Sequence, residues 1–191
     1  MRGAPNFRAW PDAVDGRWKW EFLRWLGSIT GIKTLVETGT CEGVTPFNLK
    51  GDFDRIYTIE LHDGLFEGAQ RWLAPYKHVR CYHGSSRTIL ERVIDDAIVD
   101  NGVGSCPILF WLDAHSSGPH TANDGDPLSD ELRTITKYAE NGLIVIDDMM
   151  GLDQFRGQVS SVDLIDWHVE YRTGEIVLHR EGRYAIPPFK V

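Results

Sequence analysis

Four short apolar segments of this chain each end on a carboxylate residue. The segments are residues 34–37, 56–60, 108–113 and 143–148, and the carboxylates that end them are Glu37, Glu60, Asp113 and the pair Asp147 and Asp148. Unbroken apolar segments of this length are typical of strands buried on both faces, which belong to parallel sheets. Because ligands of open α/β sheets bind beyond the carboxyl ends of the strands, the pattern predicts a row of carboxylates along a ligand-binding rim.

Helical and strand-like segments alternate along the rest of the chain. Helices are predicted over 17–28, 44–50, 65–73, 87–99 and 128–139, with a further strand over 78–82. This alternation favours an α/β, Rossmann-like, doubly wound and mostly parallel sheet in a three-layer sandwich. Near the C-terminus a short helix over 160–166 and strands over 168–172, 175–179 and 183–186 are predicted. Glycine-containing gaps separate these strands, so we expect antiparallel hairpins at that edge of the sheet.

The length of 191 residues suits one domain spanning 1–191. Within it we expect an N-terminal arm and helix (1–30), a core (33–150), and a C-terminal helix with hairpin strands (160–191). The net charge of −8 argues against nucleic-acid or anionic-membrane partners, which require a basic surface. No apolar run is long enough to cross a membrane. Three scattered cysteines without a CxxC pair suit a reducing, cytoplasmic setting.

The first strand leads into a loop with glycines at positions 39 and 43. Glycine there permits a tight turn and a close approach of a ligand to the backbone, or simply a tight turn without any ligand. Glu60 ends the next strand, where a carboxylate can accept hydrogen bonds from the two hydroxyls of a ribose. The glycine spacing differs from the GxGxxG of dinucleotide sites, and Glu37 and Glu42 would repel a pyrophosphate. An acidic loop instead suits a ligand with an ammonium group, such as S-adenosylmethionine (SAM).

The loop sequence Val-Glu-Thr-Gly-Thr-Cys-Glu-Gly over residues 36–43 resembles motif I of class I SAM-dependent methyltransferases, in an E-x-G-x-x-x-G form. Glu60 matches the acidic residue at the end of their second strand, and residues 83–86 are similar to the loop that borders the adenine, with Ser85 in place of the aspartate that many relatives have there. The resemblance spans roughly residues 33–150. The SAM-binding residues that it implies are Glu37, Thr38, Gly39, Thr40, Gly43, Glu60, Leu61, Ser85 and Asp113.

A second group of carboxylates follows the fourth and fifth predicted strands. Asp113, Asp147 and Asp148 are expected to converge there, and they would raise one another's pKa values unless a cation neutralised them. Oxygen ligands without cysteine suit Mg²⁺, with Ca²⁺ or Mn²⁺ as alternatives. The arrangement resembles that of metal-dependent small-molecule O-methyltransferases, which implies that these three aspartates hold a divalent metal. Helix capping and solvated charge are the other explanation for Asp147 and Asp148.

His115 follows Asp113 and is the candidate general base, because an imidazole titrates near neutral pH. A metal ligand or a structural histidine would also fit that position. Asp113 is the second candidate catalytic residue. The acceptor is expected to be a small molecule, such as a sugar, a phenol or a natural product, selected by the N-terminal helix, the loop 116–127, the segment 149–158 or a homo-oligomeric partner.

Three other functions remain open at this point. The first is a SAM methyltransferase that needs no metal, in which Asp113 and His115 act directly on the acceptor. The second is a SAM-binding module without catalysis. The third is a nucleotide-dependent oxidoreductase, which the glycine spacing disfavours.

Overall fold

The computed structural model describes residues 17–102, 107–114, 125–172 and 175–187. Helices and strands alternate along these residues until the final two strands. The elements are α1 (Arg17–Thr30), β1 (Thr34–Thr38), α2 (Val44–Leu49), β2 (Arg55–Glu60), α3 (Asp63–Leu73), β3 (Val79–His83), α4 (Ser86–Asp100), β4 (Ile108–Leu112), α5 (Leu128–Tyr138), β5 (Leu143–Ile146), α6 (Leu152–Gln158), β6 (Trp167–Arg172) and β7 (Glu175–Arg180).

The seven strands form one sheet in the order β3-β2-β1-β4-β5-β7-β6. Strands β1 to β5 pair in parallel, whereas β7 runs antiparallel to both β5 and β6. The predicted mostly parallel sheet with an antiparallel C-terminal edge is therefore confirmed. The order reverses direction at β1, so the crevice where open α/β sheets bind ligands lies between the carboxyl ends of β1 and β4.

Helices cover both faces of the sheet and bury it completely at its centre. On one face, α1, α2 and α3 pack on alternate strand residues such as Leu35 and Trp111. On the other face, α4, α5 and α6 pack on the intervening residues, such as Val36 and Phe110. This arrangement confirms the three-layer sandwich. None of the helices within the described residues combines the length and the apolar character that a membrane span requires.

Two elements of the C-terminal region differ from the sequence prediction. The helix predicted over 160–166 is wrong: a helix occupies Leu152–Gln158 instead, and residues 160–166 form turns. In one of these turns the carboxylate of Asp163 accepts the amide N–H of Ile165 over 3.1 Å, a local bond that competes with helix formation. The remaining helices and strands, apart from the segment 183–186, agree with prediction to within two residues at each end.

The strand predicted over 183–186 is also wrong. Strand β7 already lies between β5 and β6, so it has no free edge to which a following hairpin strand could pair. The chain turns instead, with the amide of Arg183 donating to the carbonyl of Arg180 over 3.0 Å. Tyr184 then packs against the sheet and donates its hydroxyl to the carbonyl of Asn141 over 2.7 Å.

Candidate active site

The register of the sheet places the predicted carboxylates along one rim. Thr38, the last residue of β1, pairs with Ile59 of β2 and Leu112 of β4, and Leu112 pairs with Ile146 of β5. The residues that come next in these three neighbouring strands are therefore Glu60, Asp113 and Asp147. We call Glu37 and Glu60 the glycine-loop half of the rim, and Asp113, Asp147, Asp148 and, as shown below, Glu175 its acidic half.

Backbone conformation and close packing favour glycine at both glycine positions of the loop after β1. Gly39 has a φ of +88°, and a Cβ there would lie 2.5 Å from the carbonyl oxygen of Asp113. Gly43 has a φ of +79°, and a Cβ there would lie 3.2 Å from side-chain atoms of Ala69 and Leu73. These contacts bring the loop against β4 and α3, so the tight turn that the sequence indicates is explained by packing alone.

Glu37 is buried beneath the loop among hydroxyl groups. The Thr58 hydroxyl donates to its Oε2 over 2.5 Å, and a second hydroxyl, that of Thr40, lies 2.5 Å from the Thr58 oxygen. Burial raises the pKa of Glu37 to about 8, although hydrogen bonds from Thr58 and Thr45 oppose the rise. A buried carboxyl with so high a pKa is a site at which a cationic ligand group would be stabilised.

Glu60 is held in place by backbone amides on both of its oxygens. The N–H of Cys41 donates to Oε2 over 2.7 Å, and the N–H of His62 donates to Oε1 over 2.8 Å. Cys41 has a positive φ of 50°, an uncommon conformation for a residue other than glycine. Since each carboxylate oxygen has two lone pairs, Glu60 retains one acceptor position on each oxygen for a ligand.

The turn after β3 lies beside Glu60. The Gly84 amide donates to the Glu60 carbonyl over 2.9 Å, and the next residue, Ser85, occupies the N-cap position of α4. His83 stacks on Phe66 with a centroid separation of 4.7 Å, and its Nε2 lies 3.2 Å from the carbonyl oxygen of Leu61. The Leu61 side chain is 38% exposed. An apolar and aromatic surface is thereby available next to the Glu60 carboxylate.

Three aspartates converge in the acidic half of the rim. Oxygen atoms of Asp113, Asp147 and Asp148 all lie within 4.8 Å of one another. Asp147 is buried, and its Oδ1 accepts the amide N–H of Asp148 over 2.8 Å. Asp148 has a positive φ of 54° and is mostly exposed. Among the described residues, Asp148 and Cys41 alone have positive φ without being glycine, and both lie on this rim.

The ammonium group of Lys19, from the first turn of α1, lies against these aspartates. It forms an ion pair with Asp147, and its Nζ is 3.6 Å from Oδ1 of Asp148. Burial acts to lower the pKa of Lys19, but the carboxylates, Asp147 foremost, outweigh it and raise that pKa above its usual value. Burial, followed by the Asp147 charge, raises the pKa of Asp113, and burial likewise raises that of Asp147 despite its Lys19 partner.

A fourth carboxylate, Glu175, joins the acidic half from β7. Because β7 is antiparallel to β5, its first residue lies at the edge where β5 ends, and Ile176 pairs with Ile146. Glu175 is 2% exposed, and its Oε1 has no hydrogen-bond partner among the described residues. Burial and then the charge of Asp147 raise the pKa of Glu175 to about 9.

Solved structures of known proteins share this architecture. TomG, an O-methyltransferase from Streptomyces achromogenes solved with SAM, matches with a TM-score of 0.59 and 17% identity over 88% of this chain and 81% of TomG. A provisionally assigned caffeoyl-CoA O-methyltransferase from Staphylococcus aureus matches with a TM-score of 0.60 and 16% identity over 87% and 84%. The methyltransferase domain of bacterial CtHen1-CN matches with a TM-score of 0.61 and 10% identity over 86% of this chain and 98% of that domain. This chain therefore shares its fold with these methyltransferases.

The methyltransferase fold accommodates more than one kind of acceptor. The 23S rRNA methyltransferase ErmE also matches, with a TM-score of 0.51 and 11% identity over 90% of this chain and 71% of ErmE. No model of a protein family matches the sequence, and no curated protein matches it either. The comparisons therefore identify the fold, and the chemistry has to be inferred from the residues on the rim.

The structure brings most of the predicted site residues to one edge of this methyltransferase fold. Thr38, Gly39, Thr40 and Gly43 form the turn between Glu37 and α2, with Thr38 paired to the strand that Glu60 ends. The Asp113 amide donates to the Thr38 carbonyl over 3.0 Å, which joins the two halves of the rim. The predicted base His115 and most of the predicted acceptor loop 116–127 lie outside the described residues.

Sequence reasoning missed Lys19, Glu175 and Thr58 as members of the rim. Glu175 could have been found, because the first residue of an antiparallel neighbour lies beside the carboxyl end of its parallel partner. Thr58 lies one position before Ile59 on a strand that was already predicted, so its side chain could have been placed by register. Lys19 lies in an aromatic helix that the sequence places on the sheet without fixing its distance to the rim, so it gave no signal.

Proposed function

We propose that this protein transfers a methyl group from SAM to a hydroxyl of a small-molecule acceptor, with the assistance of a divalent cation. The observation that carries the proposal is the division of one rim into two carboxylate groups. Glu37 and Glu60 are held by hydroxyl and amide donors in the glycine-loop half, whereas three aspartate oxygens converge within 4.8 Å in the acidic half.

The glycine-loop half has the groups that SAM would need. The acceptor positions left on the Glu60 oxygens suit the two ribose hydroxyls, and a ligand ammonium group beside Glu37 would lower the raised pKa of that carboxyl and pair with its ionised form. The amide of Gly84 donates to the carbonyl of Glu60, which brings the next residue of each segment, Ser85 and Leu61, to the same place. These two residues would border the adenine. Thr38, Gly39, Thr40 and Gly43 would bring the backbone close to the methionine portion of SAM.

The acidic half fits a hard divalent cation. Within the described residues its donors are carboxylate oxygens, and the buried Oε1 of Glu175 lacks a partner there. Asp113, Asp147 and Asp148 would hold Mg²⁺, with Ca²⁺ or Mn²⁺ as alternatives. When bound there, such a cation supplies a positive charge that lowers the pKa of an acceptor hydroxyl.

The reaction itself requires a proton acceptor and an aligned methyl group. The acceptor oxygen attacks the SAM methyl carbon, the bond from that carbon to sulfur breaks, and S-adenosylhomocysteine leaves as a neutral thioether. The hydroxyl proton passes to Asp113 or to His115. Asp113 can take the proton only when it is ionised: burial and the charge of Asp147 raise its pKa to about 9, and a bound cation would lower that pKa.

A small acceptor agrees with the charge of the chain. The net charge of −8 disfavours binding of an anionic polymer such as RNA. Among the structural relatives, TomG is an O-methyltransferase involved in tomaymycin synthesis. We therefore expect a sugar, phenolic or natural-product-like acceptor with adjacent hydroxyls.

The test is methyl transfer from radiolabelled SAM to a panel of catechols, sugars and RNA, measured with Mg²⁺ and with EDTA. We expect product with a hydroxylated small molecule, loss of product in EDTA, and recovery when Mg²⁺ is restored. Transfer to RNA alone would refute the acceptor class. Binding of SAM without product from any acceptor would favour a SAM-binding module.

A second candidate is methyl transfer without a metal, and the position of Lys19 favours it. Its ammonium group already provides a positive charge against Asp147 and Asp148. In that case Asp113 and His115 would act directly on the acceptor. Full activity in EDTA would establish this mechanism and refute the role of the cation.

A further inference from the structure

Lys19 contacts the same carboxylates that the proposed cation would use. It lies in the first turn of α1, its side chain is 24% exposed, and its Nζ contacts Asp147 and Asp148. The charge of Asp113 also acts on it. A lysine ammonium is therefore the positive charge that the folded chain itself provides at the cluster.

Within the described residues, this ammonium is the one cationic group that the acidic half contacts. The charges of Asp147 and Asp148 act there on both Asp113 and Glu175 and raise the pKa values of these two carboxyls. The Oε1 atom of Glu175 is buried without a hydrogen-bond partner among the described residues, although Glu175 lies beside Asp147 and Lys19. A buried carboxyl oxygen without a partner is costly whether or not the group is protonated, and a positively charged ligand beside it would satisfy that oxygen and stabilise the ionised form.

The two positive groups compete for one oxygen of Asp147. Its Oδ1 accepts the Asp148 amide, and its Oδ2 is in contact with Lys19 Nζ. A divalent cation that binds Asp147 through Oδ2 has to displace the ammonium, because two positive charges cannot share that oxygen without strong repulsion.

We infer that the Lys19 ammonium and the divalent cation are alternative occupants of the carboxylate cluster, so that cation binding releases the first turn of α1 from the rim. This inference rests on the cation of the proposed function. The release is confined to the first turn, because Phe22, Leu23 and Leu26 are buried in the core and Arg24 bonds to Asp52 over 2.8 Å. Lys19 thereby sets the cation affinity and couples it to access at the rim.

Calorimetric titration of Mg²⁺ into the SAM-free protein tests the competition. Lys19→Met keeps the apolar stem of the side chain and removes the charge, so it should bind Mg²⁺ at least about tenfold more tightly than the wild type. Lys33→Met is the matched control: it removes the same charge from an exposed residue that precedes β1, at the opposite edge of the sheet, and should leave the affinity unchanged. Equal or weaker binding by Lys19→Met than by the wild type overturns the inference, and so does the absence of binding to both.

Hydrogen exchange of the wild-type protein gives a readout that needs no variant. The amides of residues 21–23 bond to carbonyls of the first turn of α1, so their exchange should accelerate when Mg²⁺ is added. Slower or unchanged exchange in Mg²⁺-saturated protein would overturn the inference while leaving the cation of the proposed function intact. Failure of the proposed function would differ, since it would appear as Mg²⁺ binding without methyl transfer.

Discussion

The two halves of the rim satisfy their carboxylates in opposite ways. In the glycine-loop half, Glu60 accepts two backbone amides and Glu37 accepts a threonine hydroxyl, all from the same folded unit. In the acidic half, several carboxylates face one lysine, and an oxygen of Glu175 has no partner among the described residues. The first half is organised before any ligand arrives, whereas the second contains buried carboxyls with raised pKa values, whose ionised forms a cationic ligand would stabilise.

The largest expected effect arises where the two halves meet, at Gly39. A Cβ in Gly39→Ala would lie 2.5 Å from the Asp113 carbonyl oxygen, at a φ of +88°. We expect the loss of more than about 3 kcal/mol of unfolding free energy, measured by urea denaturation. Gly31→Ala is the control, because its φ is +74° but a Cβ would meet nothing within 4 Å, so it should cost about 1 kcal/mol. Equal losses would show that the loop does not depend on close contact with β4.

Asp147→Asn should lower turnover without changing SAM affinity, and so distinguish the functions of the two halves. It removes a charge from the acidic half alone, so turnover should fall by about a hundredfold or more while SAM affinity stays within about threefold. Methyl-transfer kinetics and SAM titration measure the two effects. Asp153→Asn, at an exposed position on α6, controls for the loss of an acidic residue. Equal losses in turnover and SAM affinity would contradict the assignment of Asp147 to the acceptor side.

Glu131→Gln concerns a buried carboxyl that lies outside both halves. Glu131 of α5 is fully buried. Burial raises its pKa to about 7, although the nearby hydroxyls of Ser86 and Thr38 oppose the rise. Neither carboxyl oxygen of Glu131 makes a hydrogen bond of normal geometry to the described residues. Because the folded pKa is raised, the native state binds more protons, and wild-type stability falls as the pH rises from about 4.5 to 7.

The substitution by glutamine removes this pH dependence at position 131. Relative to the wild type, Glu131→Gln should therefore gain up to about 3 kcal/mol of stability between pH 5 and pH 8. Denaturation at both values measures the gain, and Glu91→Gln, at an exposed position on α4, reports the same change at the surface. A gain that did not grow with pH would indicate that Glu131 is ionised in the folded protein without cost.

Glu60→Ala is expected to have a smaller effect, confined to the glycine-loop half. The loss of a charged acceptor for the ribose hydroxyls should weaken SAM binding by about 1–3 kcal/mol. Titration calorimetry measures it, with Glu67→Ala on the exposed face of α3 as the control. Unchanged SAM affinity would show that Glu60 serves only to hold the amides of Cys41 and His62.

The glycine-loop half could be predicted from the sequence far better than the acidic half. Glu37, Gly39 and Glu60 lie within one strand–loop–helix–strand unit, so local pattern and spacing place them together. Lys19 and Glu175 reach the rim from the two ends of the described chain, through helix packing and an antiparallel strand pairing. Such long-range placements depend on tertiary structure that periodicity does not encode. A different, local effect explains the wrong helix over 160–166, where a polar side chain bonds to the nearby backbone and favours a turn.

Titration calorimetry of the wild-type protein with SAM, S-adenosylhomocysteine and NAD⁺ tests the central claim most directly. The organised carboxylates Glu37 and Glu60 suit an ammonium group and a ribose, and the loop glycines do not have the spacing of a dinucleotide site. We predict binding of SAM and S-adenosylhomocysteine and none of NAD⁺. Binding of NAD⁺ without binding of SAM would contradict the account.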